Sequence, residues 1–145
     1  MLLLDVNVLV DAFRADVSRH EAVRRWLDLA RNDHEAVGLL PEVALSFVRI
    51  TTSRRIWRIP STSAAALEFV AALADSPSVR WHRPGDRQWS IFLDFVKDLN
   101  LSGDDIPDAY LAATTMEAGA SLVTADRGFS RFRSLRVIDP VIARD

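Results

Sequence analysis

Apolar positions along the chain fall into two kinds of pattern: short continuous runs, and longer stretches in which they recur three and four residues apart. Met1-Leu-Leu-Leu4 is a run of the first kind, closed by Asp5, and a short apolar run bounded by a polar residue predicts a strand buried on both faces. Asn7 to Arg14 then spaces Val8, Leu9, Ala12 and Phe13 as a short helix packing back on that strand. Ser18 with Glu21 three residues on reads as a capping box, opening a helix over about Arg19 to Arg31 that buries Ala22, Val23, Trp26, Leu27 and Ala30.

The alternation continues to the C-terminus. Ala36-Val-Gly-Leu-Leu40 is a second strand, and Pro41 directly after it suits the first turn of a helix, which runs through Val43, Phe47, Val48 and Ile50 to about Arg55. Trp57 to Ser61 reads as a loop, Ser63 to Ala74 as a helix with Ala66, Leu67, Val70 and Leu73 inside, and Val79-Arg-Trp-His82 as a third strand. Asp86 is placed to cap a helix from about Arg87 to Leu99 with Trp89, Phe92, Leu93 and Val96 on its inner face. Gly103 makes a turn, Asp104 or Asp105 can cap the helix that holds Ala109, Ala112, Ala113 and Met116, and Gly119 closes it. Ser121 to Thr124 and Arg136 to Asp139 complete five strands, with a helical turn over Arg127 to Phe132 between them.

Strands alternating with helices predict an α/β fold: a three-layer α/β/α sandwich around a mainly parallel sheet, with right-handed crossovers. At 145 residues the expectation is a single domain spanning 1–145, large enough to bury roughly 68–70% of its unfolded surface. No repeat, linker or low-complexity segment interrupts it. The N-terminal apolar run is broken after four residues and lacks a basic flank, so neither a signal peptide nor a membrane span is expected, and the expected compartment is the cytoplasm.

Composition narrows the chemistry. No cysteine is present, which excludes disulfides and thiolate metal sites. His20, His34 and His82 have no paired spacing, which argues against zinc. A formal net charge of −2 argues against coating nucleic acid by bulk positive charge. A local basic rim remains compatible with it: of 18 basic residues all but Lys97 are arginine, the side chain suited to bidentate phosphate contacts.

In a parallel α/β sheet, Asp5 and Asp126 end strands while Glu42 and Asp108 begin helices, so four acids arrive at one sheet edge, where such folds place their clefts. A charge at the end of an apolar strand must be paired, ligated or wetted, and crowded carboxylates raise one another's pKa unless a cation neutralises them. All-oxygen ligands select hard ions, Mg²⁺ or Mn²⁺. Metal-assisted phosphodiester hydrolysis is the reaction class that follows. Arg49, seven residues after Glu42 and on the same helical face, is a candidate contact for a nucleic-acid backbone, against the plainer reading of a surface ion pair.

Four segments in order resemble the motifs of PIN-domain ribonucleases, and more narrowly of the VapC toxins of bacterial toxin–antitoxin pairs: Leu4-Asp5-Val-Asn7, Pro41-Glu42, Asp108-Ala-Tyr-Leu-Ala-Ala113 and Thr124-Ala-Asp126-Arg-Gly-Phe129. The resemblance runs from end to end. It implies a metal-dependent endoribonuclease that cuts RNA and is held in check by a VapB-type antitoxin whose C-terminal segment covers the active site. Carried over by position, it makes Asp5, Glu42, Asp108 and Asp126 the metal-coordinating acids, and gives Asn7 and Thr124 the task of orienting them through hydrogen bonds. Asp105, within a turn of Asp108, could share the work, as could Asp104. PIN-like toxins are commonly dimers, and Ile56, Trp57 and Ile59 among Arg54, Arg55 and Arg58 form a candidate contact patch.

Other enzymes that open with an aspartate after the first strand fit less well. A haloacid-dehalogenase-type phosphatase wants a second aspartate where Asn7 stands and a later lysine, and a receiver domain wants a lysine after its last strand; Lys97 is the sole lysine and lies in a surface-type helix. The rival from another class is a non-catalytic binding protein whose acidic pocket holds a partner's arginine. Asp11 and Asp139 read as solvated or structural, and Trp26, Trp57, Trp81 and Trp89 as core or interface anchors rather than base-stacking platforms.

Overall fold

The N-terminal apolar run becomes the central strand of the sheet. The structure is a computed structural model describing residues 1–142. In it β1 (Leu2–Leu4) is buried at all three positions, flanked by β2 (Val37–Leu39) and β4 (Ser121–Val123), with β3 (Val79–Trp81) and β5 (Val137–Ile138) outside them. The order is β3-β2-β1-β4-β5 and every pairing is parallel. Strands this short stay sequestered because both faces are covered.

Six helices cover them: α1 (Val6–Phe13), α2 (His20–Ala30), α3 (Pro41–Thr51), α4 (Ser63–Ala74), α5 (Gln88–Asp98) and α6 (Ile106–Glu117). From β1 the chain steps outward through β2 to β3, then returns across the sheet to β4 and on to β5. Right-handed crossovers therefore put α1 to α4 on one face and α5 and α6 on the other, and the packing of α1 on α2 and α3, and of α5 on α6, agrees. The direction of travel reverses between β1 and β4. In open α/β sheets a cleft forms beyond the carboxyl ends of such a strand pair, and Asp5 and Thr124 are the residues that follow these two strands.

The core keeps the edge rigid. Phe13, Phe47 and Phe69 meet with ring centroids 5.2–5.3 Å apart, tying α1, α3 and α4 together. Gly38 in β2 is required for close packing, because a Cβ there would run into Leu3 Cδ2. Gly119 ends α6 at φ +61°, a left-handed conformation that glycine adopts without strain.

Several local expectations are corrected. Ser18 does not cap α2, whose N-cap is Arg19 without a side-chain cap bond. Nor does Asp86 cap α5: the Glu117 carboxylate at the end of α6 accepts the amides of Gly85 (2.7 Å), Arg87 (2.9 Å) and Gln88 (3.0 Å) instead. The α3 helix stops at Thr51, short of Arg55. Thr51 and Thr52 hydroxyls bond back to Phe47 O and Val48 O, and the Trp57 indole donates to Ile50 O at 2.9 Å, so a side chain satisfies a carbonyl that a further turn would have used. Ala22, Leu67 and Trp89 are exposed rather than inside. No helix among the described residues is long and apolar enough to cross a membrane.

Candidate active site

Asp5 follows directly on β1 and caps α1, accepting the Val6 amide on Oδ1 at 2.6 Å. Its Oδ2 accepts from Asn7 Nδ2 at 2.7 Å and from the Thr124 hydroxyl at 2.6 Å. Asn7 Nδ2 also donates to Thr124 Oγ1 at 2.9 Å, Asn7 Oδ1 accepts the Ala125 amide at 3.1 Å, and Thr124 Oγ1 accepts the Asp126 amide at 3.0 Å. The threonine hydroxyl thus gives its one proton and fills both lone pairs. This network laces the end of β1 to the end of β4 and fixes the rotamer of a carboxylate that is only 8% exposed. A carboxylate offers about four lone-pair sites, so the three bonds leave one, on Oδ1.

Burial pushes the Asp5 carboxyl above its ordinary range, the bonds from Thr124, Val6 and Asn7 pull it back, and the nearby Asp126 charge pushes it up again. Asp126 caps the 3-10 turn Arg127–Arg131 and accepts the Gly128 amide on Oδ1 at 2.7 Å. Asp108 lies in the first turn of α6. Its carboxyl is also raised, chiefly by burial; Arg131 lowers it, and the charges of Asp126, Asp5 and Asp105 raise it. Asp5, Asp108 and Asp126 are thus close enough to repel one another.

Glu42 occupies the first turn of α3 and is exposed, with the Tyr110 hydroxyl donating to its Oε1 over a long 3.4 Å. Burial and the Glu42 charge raise the Tyr110 phenol. Glu42, Asp5 and Asp108 line one cleft of about 550 Å³, whose remaining wall includes Val43, Trp89, Phe92, Pro107 and Tyr110.

The donor set fits a hard cation: oxygen only, mutually repelling, and one carboxylate held rigid with a free lone pair. As the side chains lie, no group of three or more acids or histidines among the described residues converges to enclose an ion. One reason is visible at Asp108, whose Oδ2 is taken by Arg131 Nη2 at 2.8 Å while Nη1 reaches Asp105 Oδ1 at 3.0 Å. Asp105 therefore occupies the N-cap position of α6 without a side-chain cap bond, its carboxylate being paired with Arg131 instead. Asp104 is exposed. Arg49 is exposed in the last turn of α3, beyond the stretch of that helix that lines the cleft, which ends at Ser46; the structure does not bring it to the acids.

Arg131, Trp89 and Tyr110 were not singled out as site residues from the sequence. Arg131 carries a readable signal, since it lies five residues after Asp126 on the same short turn. Trp89 does not: it is spaced i, i+3 from Phe92 and matches a buried stripe as well as a cleft wall.

This sheet order with its carboxylate edge defines the class. The PIN domain family model matches residues 2–135, and the chain belongs to the PIN-domain family. Within that family it stands with the VapC ribonucleases. It is 43% identical over 141 residues to VapC ribonuclease Mb2897 of Mycobacterium bovis, covering 97% of this chain and 96% of that protein. With ribonuclease VapC25 of Mycobacterium tuberculosis it shares 43% over 144 residues, covering 98% and 100%. The fold is shared with the crystal structure of Mycobacterium tuberculosis VapC20, a sarcin–ricin loop cleaving toxin, at TM-score 0.66 and 18% identity over 90% of this chain and 93% of that one. It is shared as well with VapBC2 from Rickettsia felis bound to a promoter DNA fragment, at TM-score 0.69 and 13% identity over 94% and 96%.

Proposed function

We propose that this protein is a Mg²⁺- or Mn²⁺-dependent endoribonuclease and the toxin of a type II toxin–antitoxin pair, with Asp5, Asp108, Asp126 and Glu42 as its metal-holding acids. The observation that carries the reading is the bonded group Asp5–Asn7–Thr124 at the point where the sheet reverses direction, in a chain 43% identical to named VapC ribonucleases. A hard divalent cation bound there supplies Lewis-acid polarisation and neutralises charge on a phosphodiester.

The chain's own residues do the rest. Asn7 and Thr124 hold Asp5 in one orientation, so Asp5 itself need not turn to meet an ion, whereas Asp108 would have to exchange its bond from Arg131. The helix starts at Pro41 and Ile106 bring Glu42 and Asp108 to the cleft from opposite faces of the sheet. Arg131 opposes the burial and like charges that raise the Asp108 carboxyl. Asp105 acts through Arg131, and Asp104 has no part in the site. Arg49 serves RNA only away from the cleft, along the backbone of a longer substrate.

The partners follow from the same reading. A VapB-type antitoxin is the expected partner, a reading in keeping with the toxin–antitoxin complexes that share the fold, and the acidic cleft is where we place its contact. A homodimer is supported by Ile56 and Ile59, both well exposed; Trp57 belongs to its own domain, stacked 4.0 Å under the buried Arg14 guanidinium. Light scattering on the isolated protein measures this, with twice the monomer mass expected. The expected compartment is the cytoplasm, where RNA and antitoxin meet. Induced expression followed by sequencing of RNA ends tests the function: new ends at discrete positions appear with the wild-type chain, and an Asp108→Asn chain that produced the same ends would refute the reading.

A further inference from the structure

The cleft is lined by two kinds of residue: the carboxylates Asp5, Glu42 and Asp108, and the aromatic and apolar side chains of Trp89, Phe92, Pro107 and Tyr110, the last of which bonds to Glu42. The aromatic side chains make a continuous wall: Trp89 and Phe92 centroids are 5.0 Å apart at 38°, and Phe92 and Tyr110 are 6.0 Å apart, edge to face. Phe92 is buried and backs the wall, whereas Trp89 is 58% exposed. One side of the indole is thus packed and much of the rest is open. An indole left largely in water is costly by area alone.

Its position is held. Trp89 is the second residue of α5, and that helix start is clamped by the three bonds to Glu117 from α6. The ring is therefore presented by a rigid element, as a stacking platform must be. No arginine, lysine or histidine is among the residues lining the cleft, so the aromatic wall does not attract phosphate; a neutral planar ligand suits it. The carboxylates, once they hold a divalent cation, take the phosphate. A nucleotide has both parts joined covalently, and the volume of about 550 Å³ is within the range of sites that enclose a small ligand.

We propose that Trp89, backed by Phe92, is the stacking platform for an unpaired nucleobase next to the phosphodiester held at the carboxylates. It selects single-stranded RNA, because a base in a helix is already stacked and cannot enter. The proposal rests on the ribonuclease reading, and commits the aromatic wall to a base rather than to an apolar side chain of a protein partner.

The test uses the full chain carrying Asp5→Asn with Mn²⁺ present, so that the remaining acids can hold the cation while cleavage is too slow to obscure binding. The probes are a labelled single-stranded oligoribonucleotide of mixed sequence, its fully base-paired duplex, and an abasic strand of the same length. Trp89→Ala should weaken binding of the single strand roughly tenfold, the scale of losing one base–aromatic stack. Trp89→Phe should recover most of it, and affinity for the duplex and the abasic strand should be the same in all three proteins. Unchanged single-strand affinity in Trp89→Ala, or an equal loss on the abasic strand, overturns the proposal. So does a Trp89→Ala protein that binds RNA normally and loses the VapB-type antitoxin, which would make the wall a protein-docking groove. Failure of the base platform alone leaves the wild-type chain cutting RNA with Mn²⁺. A wild-type chain that neither binds nor cuts RNA overturns both readings together.

Discussion

Arg131 Nη2 lies 2.8 Å from Asp108 Oδ2, and the same guanidinium reaches Asp105 Oδ1 at 3.0 Å. The contact joins the turn that carries Asp126 to the helix that carries Asp108. It is also the strongest influence holding the Asp108 carboxyl down against its burial and its acidic neighbours. With Arg131→Gln, Asp108 should take up its proton at higher pH in the metal-free protein, moving the acid limb of its carboxyl titration in EDTA upward. Arg131→Lys keeps the charge but not the fork, and should move the limb less. Both side chains are partly exposed, so the effect on stability should be at most about 1 kcal/mol.

Thr124 is fully engaged between Asp5, Asn7 and the Asp126 amide. Thr124→Val removes the donor to Asp5 and the acceptor for Asn7 and for the amide, in a site closed to water. A loss of about 1–3 kcal/mol in denaturant unfolding is expected, with a ten- to hundredfold loss in Mn²⁺ affinity by titration. Asn7→Ala should behave alike. If neither variant changes Mn²⁺ affinity, the network does not orient a ligand.

The metal-free protein should lose stability as pH rises. The folded-state carboxyls of Asp5 and Asp108 are both raised, so over the window from the ordinary carboxylate pKa, about 3.9, up to their raised values the folded state binds more protons than the unfolded one. Stability then falls with increasing pH. Burial raises Asp139, but the bond and charge of Arg19 with the backbone amides of Val141 and Ile142 together lower it, so it works the other way, losing its contribution only as pH falls through its own lower value. Melting temperature against pH in EDTA should therefore decline above the ordinary carboxylate range, and Asp5→Asn should flatten that decline.

Glu117 is the cap that α5 lacks on its own. Glu117→Ala should cost about 1 kcal/mol or somewhat more, measured by thermal unfolding. Because Trp89 stands on the first turn of that helix, single-strand RNA affinity should fall with it, while Mn²⁺ affinity should not.

What could be read from the sequence follows the reach of the interactions. The five strands and six helices come from local periodicity, and the parallel sheet from their alternation. That Asp5, Glu42 and Asp108 would share one cleft was legible from where their strands and helices begin and end, whereas Asp126 caps the turn after β4 and is not among the residues lining that cleft. The cap on α5 was not legible, since Glu117 lies about thirty residues away and is brought back only by the packing of α5 on α6. Trp89 was misplaced for a related reason: helical spacing says which residues share a stripe, and not where the stripe runs out of partners. Arg49 shows the limit of helical phase alone. Its phase with Glu42 was right, but two helical turns carry it about 10 Å along the axis, past the end of the cleft.

The most direct test of the central claim is cleavage of RNA by the purified chain with Mn²⁺ or Mg²⁺, alongside EDTA and an Asp5→Asn chain of unchanged melting temperature. The account predicts discrete fragments with the metal, none in EDTA, and a rate lowered by more than about a hundredfold in Asp5→Asn, beyond the loss expected for an outer partner alone. Cleavage that persists in EDTA and in Asp5→Asn would contradict it.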